Sequence, residues 1–104
     1  MYMIREVYNA KPGCAGALID GFKAIDAFFI SIGWAKSKIY ADFDGRMNTI
    51  VAEIEIESLD EYYKLERSMY EKPPEERDPQ MQGLIDMFNN NTVESRREIW
   101  EVLQ

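Results

Sequence analysis

Arg46 to Glu57, RMNTIVAEIEIE, is the stretch whose reading decides the fold. Its even positions Ile50, Ala52, Ile54 and Ile56 are apolar, while the odd ones run Thr49, Val51, Glu53, Glu55 and Glu57. Side chains of a strand alternate between two faces, so this period of two predicts one packed face and one polar face. Upstream lies a second run, Lys38-Ile39-Tyr40-Ala41-Asp42-Phe43, and Asp44-Gly45 stands between the two. Asp-Gly tolerates positive φ at both central positions, so the pair predicts a hairpin closed by a tight two-residue turn.

Working outward, Tyr2 to Tyr8 are aromatic and β-branched in character and read as a first strand. Lys11-Pro12-Gly13 opens a helix, because proline is tolerated in a first turn whose N–H groups have no helical partner. Leu18, Phe22, Ile25, Phe29 and Ile32 recur at four, three, four and three, a single apolar stripe. Gly33 ends that helix as a left-handed cap, with Trp34 folding back on the last turn. Ser58-Leu59-Asp60-Glu61 is a capping box for a second helix, on which Leu59, Tyr62, Glu66 and Met69 share one side. The charged, proline-bearing segment Glu71 to Asp78 is a connector. Asp78-Pro79 starts a short third helix, which the Asn89-Asn90-Asn91 run ends, and residues 92 to 103 form a last strand.

Strand, helix, strand, strand, helix, extra helix, strand is the order of a ferredoxin-like βαββαβ chain. Right-handed crossovers then give one four-stranded antiparallel sheet in the order 4-1-3-2, in a single α+β domain over residues 1–104. The main helices cover one face of such a sheet. The other carries Thr49, Val51, Glu53 and Glu55. For the last strand two registers are open: Val93, Ser95, Arg97, Ile99 and Leu103, or Glu94, Arg96, Glu98, Trp100 and Val102. Either set joins apolar side chains to an arginine, so two copies of the face are able to pair sheet to sheet in a homodimer.

Composition bounds the chemistry. Nineteen acidic against twelve basic residues give a net charge of −7, which disfavours nucleic acid and anionic membranes as partners. No stretch approaches the roughly 18 apolar residues of a membrane span. The lone Cys14 has no internal partner, consistent with a reduced, cytoplasmic setting. Histidine is absent, which removes the commonest neutral-pH base, the commonest metal ligand and the usual haem ligand. The expectation is no cofactor and no metal site.

REVYNAKPG at the start, the apolar helix after it, DGRMNTIVAEIEIESLDEY and the closing SRREIWEVL resemble the NIPSNAP-type members of the dimeric α/β-barrel superfamily. The resemblance runs over nearly the whole length. It implies two ferredoxin-like subunits whose sheets close a barrel, and a superfamily that includes cofactor-free antibiotic-biosynthesis monooxygenases, haem-degrading oxygenases and small-molecule isomerases.

Two groups of residues are candidates for a site. Trp34, Tyr40, Tyr62, Tyr63 and Trp100 are read as aromatic walls of a pocket between helices and sheet, with Asn48 as a polar group beside the hairpin turn. Arg5, Glu53, Glu55 and Arg97 form a polar network, either an ion-pair lattice or a grip on an acidic or enolic substrate. The reading that follows is a homodimeric barrel protein binding a small aromatic or hydrophobic molecule. The alternative is a cofactor-independent monooxygenase or isomerase acting on an aromatic or enolic metabolite.

Overall fold

The computed structural model describes residues 1–104. Four strands, β1 (Tyr2–Ala10), β2 (Lys38–Ala41), β3 (Thr49–Ile56) and β4 (Thr92–Glu101), form one antiparallel sheet in the order β2-β3-β1-β4. Read from the other edge this is 4-1-3-2, the ferredoxin-like order. Helices α1 (Ala15–Ser31), α2 (Leu59–Tyr70) and α3 (Pro79–Asn91) complete the chain. The third helix is as substantial as the second, and it runs straight into β4 because Asn89 to Asn91 remain helical. Lys11 N–H donates to the Asn91 carbonyl at 2.9 Å, which holds that junction against the end of β1.

Local sequence explains three of the six helix ends. Trp34 N–H donates to Phe29 O at 2.9 Å and Gly33 N–H to Ile30 O at 3.0 Å, with Gly33 at φ 88°. This is a Schellman ending, completed by Trp34 stacking on Phe29 at 5.1 Å between ring centres. The Ser58 hydroxyl accepts from Glu61 N–H, and the Asp78 carboxylate accepts from Gln80 and Met81 N–H.

The hairpin differs from the tight turn that Asp44-Gly45 predicts. Ala41 pairs with Ile50, and Asp42 N–H donates to Thr49 O at 3.0 Å, leaving residues 43–48 as the loop. Side-chain bonds favour the wider loop: the Asp42 carboxylate accepts from Thr49 N–H at 2.9 Å, and Thr49 Oγ1 donates to the Arg46 carbonyl at 2.8 Å. Asn48 takes the left-handed conformation that closes it, at φ 61°. A two-residue turn would have set Tyr40 opposite Thr49; the observed partner is Val51. A shift of two residues preserves the pleat, so the face of every side chain is as the alternation requires.

Ile50, Ile54 and Ile56 are buried beneath the helices, as their spacing demands. Ile4 and Ile54 are direct partners between β1 and β3. The packed side divides into two clusters: Ile4, Ile54, Ile56 and Tyr62 at one end, and Ala10, Leu18, Phe22 and Ile50 at the other. On α1, Ile32 falls beyond the packed stripe and is exposed.

Gly21 is where α1 meets α3. A Cβ there would lie 2.2 Å from Met87 Cε and 2.9 Å from Phe88 Cζ, whereas Gly16, earlier in the same helix, has open space. Gly21→Val is therefore expected to lower stability by about 1–3 kcal/mol through overpacking. Gly16→Ala is expected to raise it by about 0.4–1 kcal/mol through helix propensity and lost unfolded-state entropy. Urea unfolding of the two variants checks the contrast; a Gly21→Val variant as stable as the parent chain would contradict the α1–α3 contact.

Candidate functional site

The gap between the two clusters is the site. On the packed face of β1, Glu6 interrupts the run Ile4, Tyr8, Ala10, and its partner on β3 is Ala52, the smallest side chain of that row. A charged residue opposite a small one leaves the sheet without an apolar plug at its centre. A cavity of about 380 Å³ opens there between the sheet and all three helices. Its walls are mostly apolar, with Phe22 and Phe29 from α1, Leu65 and Met69 from α2, and Leu84 and Phe88 from α3. Tyr8, Phe22 and Phe88 pack with ring centres 5.0–5.4 Å apart, Phe22 edge-to-face with both others and Tyr8 tilted against Phe88, an aromatic floor at one end.

One ion cluster stands on the cavity wall. Glu6 on β1 faces Arg97 on β4 across the ladder. Arg97 Nε donates to Glu6 Oε1 at 2.5 Å and Arg97 Nη1 to Glu66 Oε1 at 2.5 Å, so the guanidinium ties α2 to the sheet. Its Cζ also lies 5.5 Å from the centre of the Tyr62 ring. Arg97 sits on an edge strand with its side chain 37% exposed, which places the cluster toward the cavity mouth. Burial pushes the Glu6 carboxyl above its ordinary value, against the opposing charge and hydrogen bond of Arg97. Burial alone would lower the Arg97 pKa, but the bond to Glu66 and the charge of Glu6 hold it above its ordinary value. The phenols of Tyr8, Tyr62 and Tyr70 are all pushed up by burial and stay neutral.

The structure separates the residues that sequence grouped together. Arg97 faces the helices, while Arg5 and Glu53 lie on the opposite side of the sheet, so these four are not one network. Arg5 approaches Glu53 at 3.7 Å and Glu98 at 3.9 Å on the open face, and Glu55 is exposed without an ion-pair partner. The register of β4 decides this: Ile4 pairs with Ile99 and Glu6 with Arg97, so the odd positions face the helices and Glu94, Arg96, Glu98 and Trp100 the open side.

Among the aromatic candidates, Tyr62 lines the cavity. Trp34 packs beside it against Phe29, with ring centres of Trp34 and Tyr62 6.4 Å apart. Tyr63 touches the outer side of Tyr62 and is 40% exposed. Tyr40 and Trp100, 46% and 55% exposed, belong to the open face. Asn48 serves the hairpin loop, where its carbonyl accepts from Ala10 N–H at 2.8 Å. No three His, Cys, Asp or Glu side chains converge as a metal-ligand group. Two residues of the cluster, Glu6 and Glu66, were outside the candidate set. Glu66 shares a helix side with Leu59, Tyr62 and Met69, and an acid on such a stripe is the signal that points inward.

No protein-family model matches this sequence, and no curated protein matches it. Solved structures do share the fold. A NIPSNAP family protein with unknown function from Agrobacterium tumefaciens superposes with a TM-score of 0.75 at 16% identity, over 98% of this chain and 87% of that one. A NIPSNAP domain protein from Burkholderia xenovorans gives 0.69 at 13%, over 98% and 94%. SnoaB, a cofactor-independent oxygenase from Streptomyces nogalater, gives 0.72 at 12%, over 99% and 93%. The chain thus has the ferredoxin-like fold common to NIPSNAP proteins and antibiotic-biosynthesis monooxygenases.

Glu6 has a signature in the pH dependence of stability. Between the ordinary carboxyl pKa of 4.5 and its raised value, the folded chain holds a proton that the unfolded chain has released. Its contribution is therefore present below that window and lost as pH rises through it. Melting temperatures from about pH 4 to about pH 7 are expected to lose this component in Glu6→Gln, which stays uncharged across the range. A profile parallel to the parent chain would contradict the assignment.

Proposed function

We propose that this protein is a homodimer whose subunits each bind a small aromatic or hydrophobic molecule in the cavity between the helices and the sheet. The observation that carries the reading is the cavity itself. Its volume lies in the range of small-molecule sites, and apolar walls around a few convergent polar groups are the usual composition of such sites. A core built only to be stable would not place a glutamate opposite an alanine at its centre, because the resulting void forfeits packing.

Pairing of the open faces supports the dimer. Val7 and Val51 are direct partners there, the exposed ring of Tyr40 stands beside Val51, and that of Trp100 lies further along the face opposite Met3. Arg5 and Arg96 stand among Glu53 and Glu98, so the face carries both signs of charge and is complementary to itself. The likeness to NIPSNAP and monooxygenase structures fits the same architecture. The free Cys14 fits a reducing compartment such as the cytoplasm.

A second reading, cofactor-independent catalysis on an enolic or phenolic metabolite, is favoured by one feature. Glu6 lines the cavity as a carboxylate with a raised pKa, next to the guanidinium of Arg97.

Ala52→Phe separates binding from folding. The larger ring projects into the cavity from its floor, so the variant is expected to lose the rise in melting temperature that small aromatic compounds give the parent, while still sedimenting as a dimer. Val51→Glu, on the other face, is expected to sediment as a monomer. A parent chain that sediments as a monomer, or an Ala52→Phe variant that still responds to the compounds, would overturn the corresponding half of the reading.

A further inference from the structure

The cavity is apolar except at one place, and the charge there is specific in sign. Arg97 is the cationic member of the cluster and is shared between two carboxylates, Glu6 from β1 and Glu66 from α2. One positive and two negative groups leave the cluster at −1. The guanidinium directs Nε and Nη1 to these two carboxylates, and its single charge is outnumbered by theirs, so the field at the wall disfavours a ligand anion. Each carboxylate uses Oε1 for Arg97, and the second oxygens of both have no protein partner yet are not sealed off as buried unsatisfied atoms. What the wall offers a ligand is acceptor capacity together with a net negative charge. The nearby phenols of Tyr62, Tyr8 and Tyr70 remain neutral, so they do not offset that charge.

We propose that the cavity selects ligands by a hydrogen-bond donor head group carried on an apolar or aromatic body, an ammonium or a phenolic or enolic hydroxyl bound by Glu6 and Glu66, and that it rejects carboxylates and phosphates. Donation to an ionised acceptor is among the stronger neutral-pH hydrogen bonds, and low-dielectric walls strengthen it. A ligand carboxylate would instead meet two like charges against one cation that both already pair, an arrangement that costs affinity. The apolar body fills the space beside Phe22, Leu84 and Phe88. This deepens the small-molecule reading above and rests on it.

The test is a matched series of naphthalenes on the full chain, read by calorimetry: 2-methylnaphthalene, 2-naphthol, 2-naphthylmethylamine and 2-naphthoate. Binding is expected to rise from the methyl compound to the naphthol and the amine, the amine by at least about tenfold, with the carboxylate weakest of the four. Glu66→Gln and, independently, Glu6→Gln make the cluster neutral; each is expected to narrow the gap between amine and carboxylate by about tenfold or more, with 2-methylnaphthalene as the internal reference for binding in each variant. A carboxylate that binds as well as the amine, or a gap that survives in both variants, overturns the inference and leaves the small-molecule cavity standing. Failure of all four compounds, the methyl compound included, overturns both.

Discussion

The packed face of a sheet is normally continuous, and here β1 breaks it with a glutamate. Glu6 lies between Ile4 and Tyr8 and is bracketed by two partners, Ala52 on one side and Arg97 on the other. A buried carboxylate needs a compensating charge, and the ladder delivers Arg97 to it. The same guanidinium reaches Glu66, so the charge that neutralises β1 also draws α2 onto the sheet. Because Ala52 is too small to fill the space, the apolar residues condense at the two ends and leave the middle open. Two core clusters, a tethered helix and a cavity all follow from that one residue and its neighbours.

The opposite face obeys different rules. Its ion pairs, Arg5 with Glu53 and Glu98 at 3.7 and 3.9 Å and Arg96 with Glu98 at 2.8 Å, are partly exposed, and pairs of that kind contribute about 0–1 kcal/mol, so they do not hold the sheet together. Glu98 there has its pKa lowered by the hydrogen bonds of Arg96 and Trp100, as expected of an accessible carboxylate with donors around it. Raised for Glu6 and lowered for Glu98, these opposite shifts come from residues on one sheet and report which side is desolvated. That asymmetry is why the two faces are assigned different partners, a small molecule on one and a second copy in the proposed dimer on the other.

Strand alternation carried most of the fold. Ile50, Ile54 and Ile56 lie where period two puts them, and the capping residues Ser58, Asp78 and Gly33 mark true helix ends. The turn was less legible, because Asp42 and Thr49 bond to one another and outweigh the preference of Asp44-Gly45 for a tight turn. Asn89 to Asn91 stay helical since the Asn91 side chain donates to Met87 O at 2.7 Å, and the junction to β1 holds the end of the helix. For the site, Arg97 and Tyr62 were visible as candidates, but nothing in a mixed strand such as TVESRREIWE fixes which side its arginine takes. Only pairing with β1 settles that. Tyr40 and Trp100 read with Tyr62 as pocket walls by composition, and register puts them on the open face instead. Glu6 was missed because β1 reads apolar and aromatic as a block, and its alternation shows only once Ile4 and Tyr8 are known to point the same way as Ile54.

The packed side of the molecule depends on a guanidinium held between a strand and a helix at the wall of an apolar cavity. Side-chain NMR of the arginine Nε–H groups observes that arrangement without any variant. Arg97 Nε–H is expected to be resolved, to exchange with solvent much more slowly than that of Arg96, whose side chain is 61% exposed, and to shift when 2-methylnaphthalene is added. An Arg97 signal that exchanges as fast as Arg96 and ignores the hydrocarbon would mean that the cluster is not formed at the cavity wall.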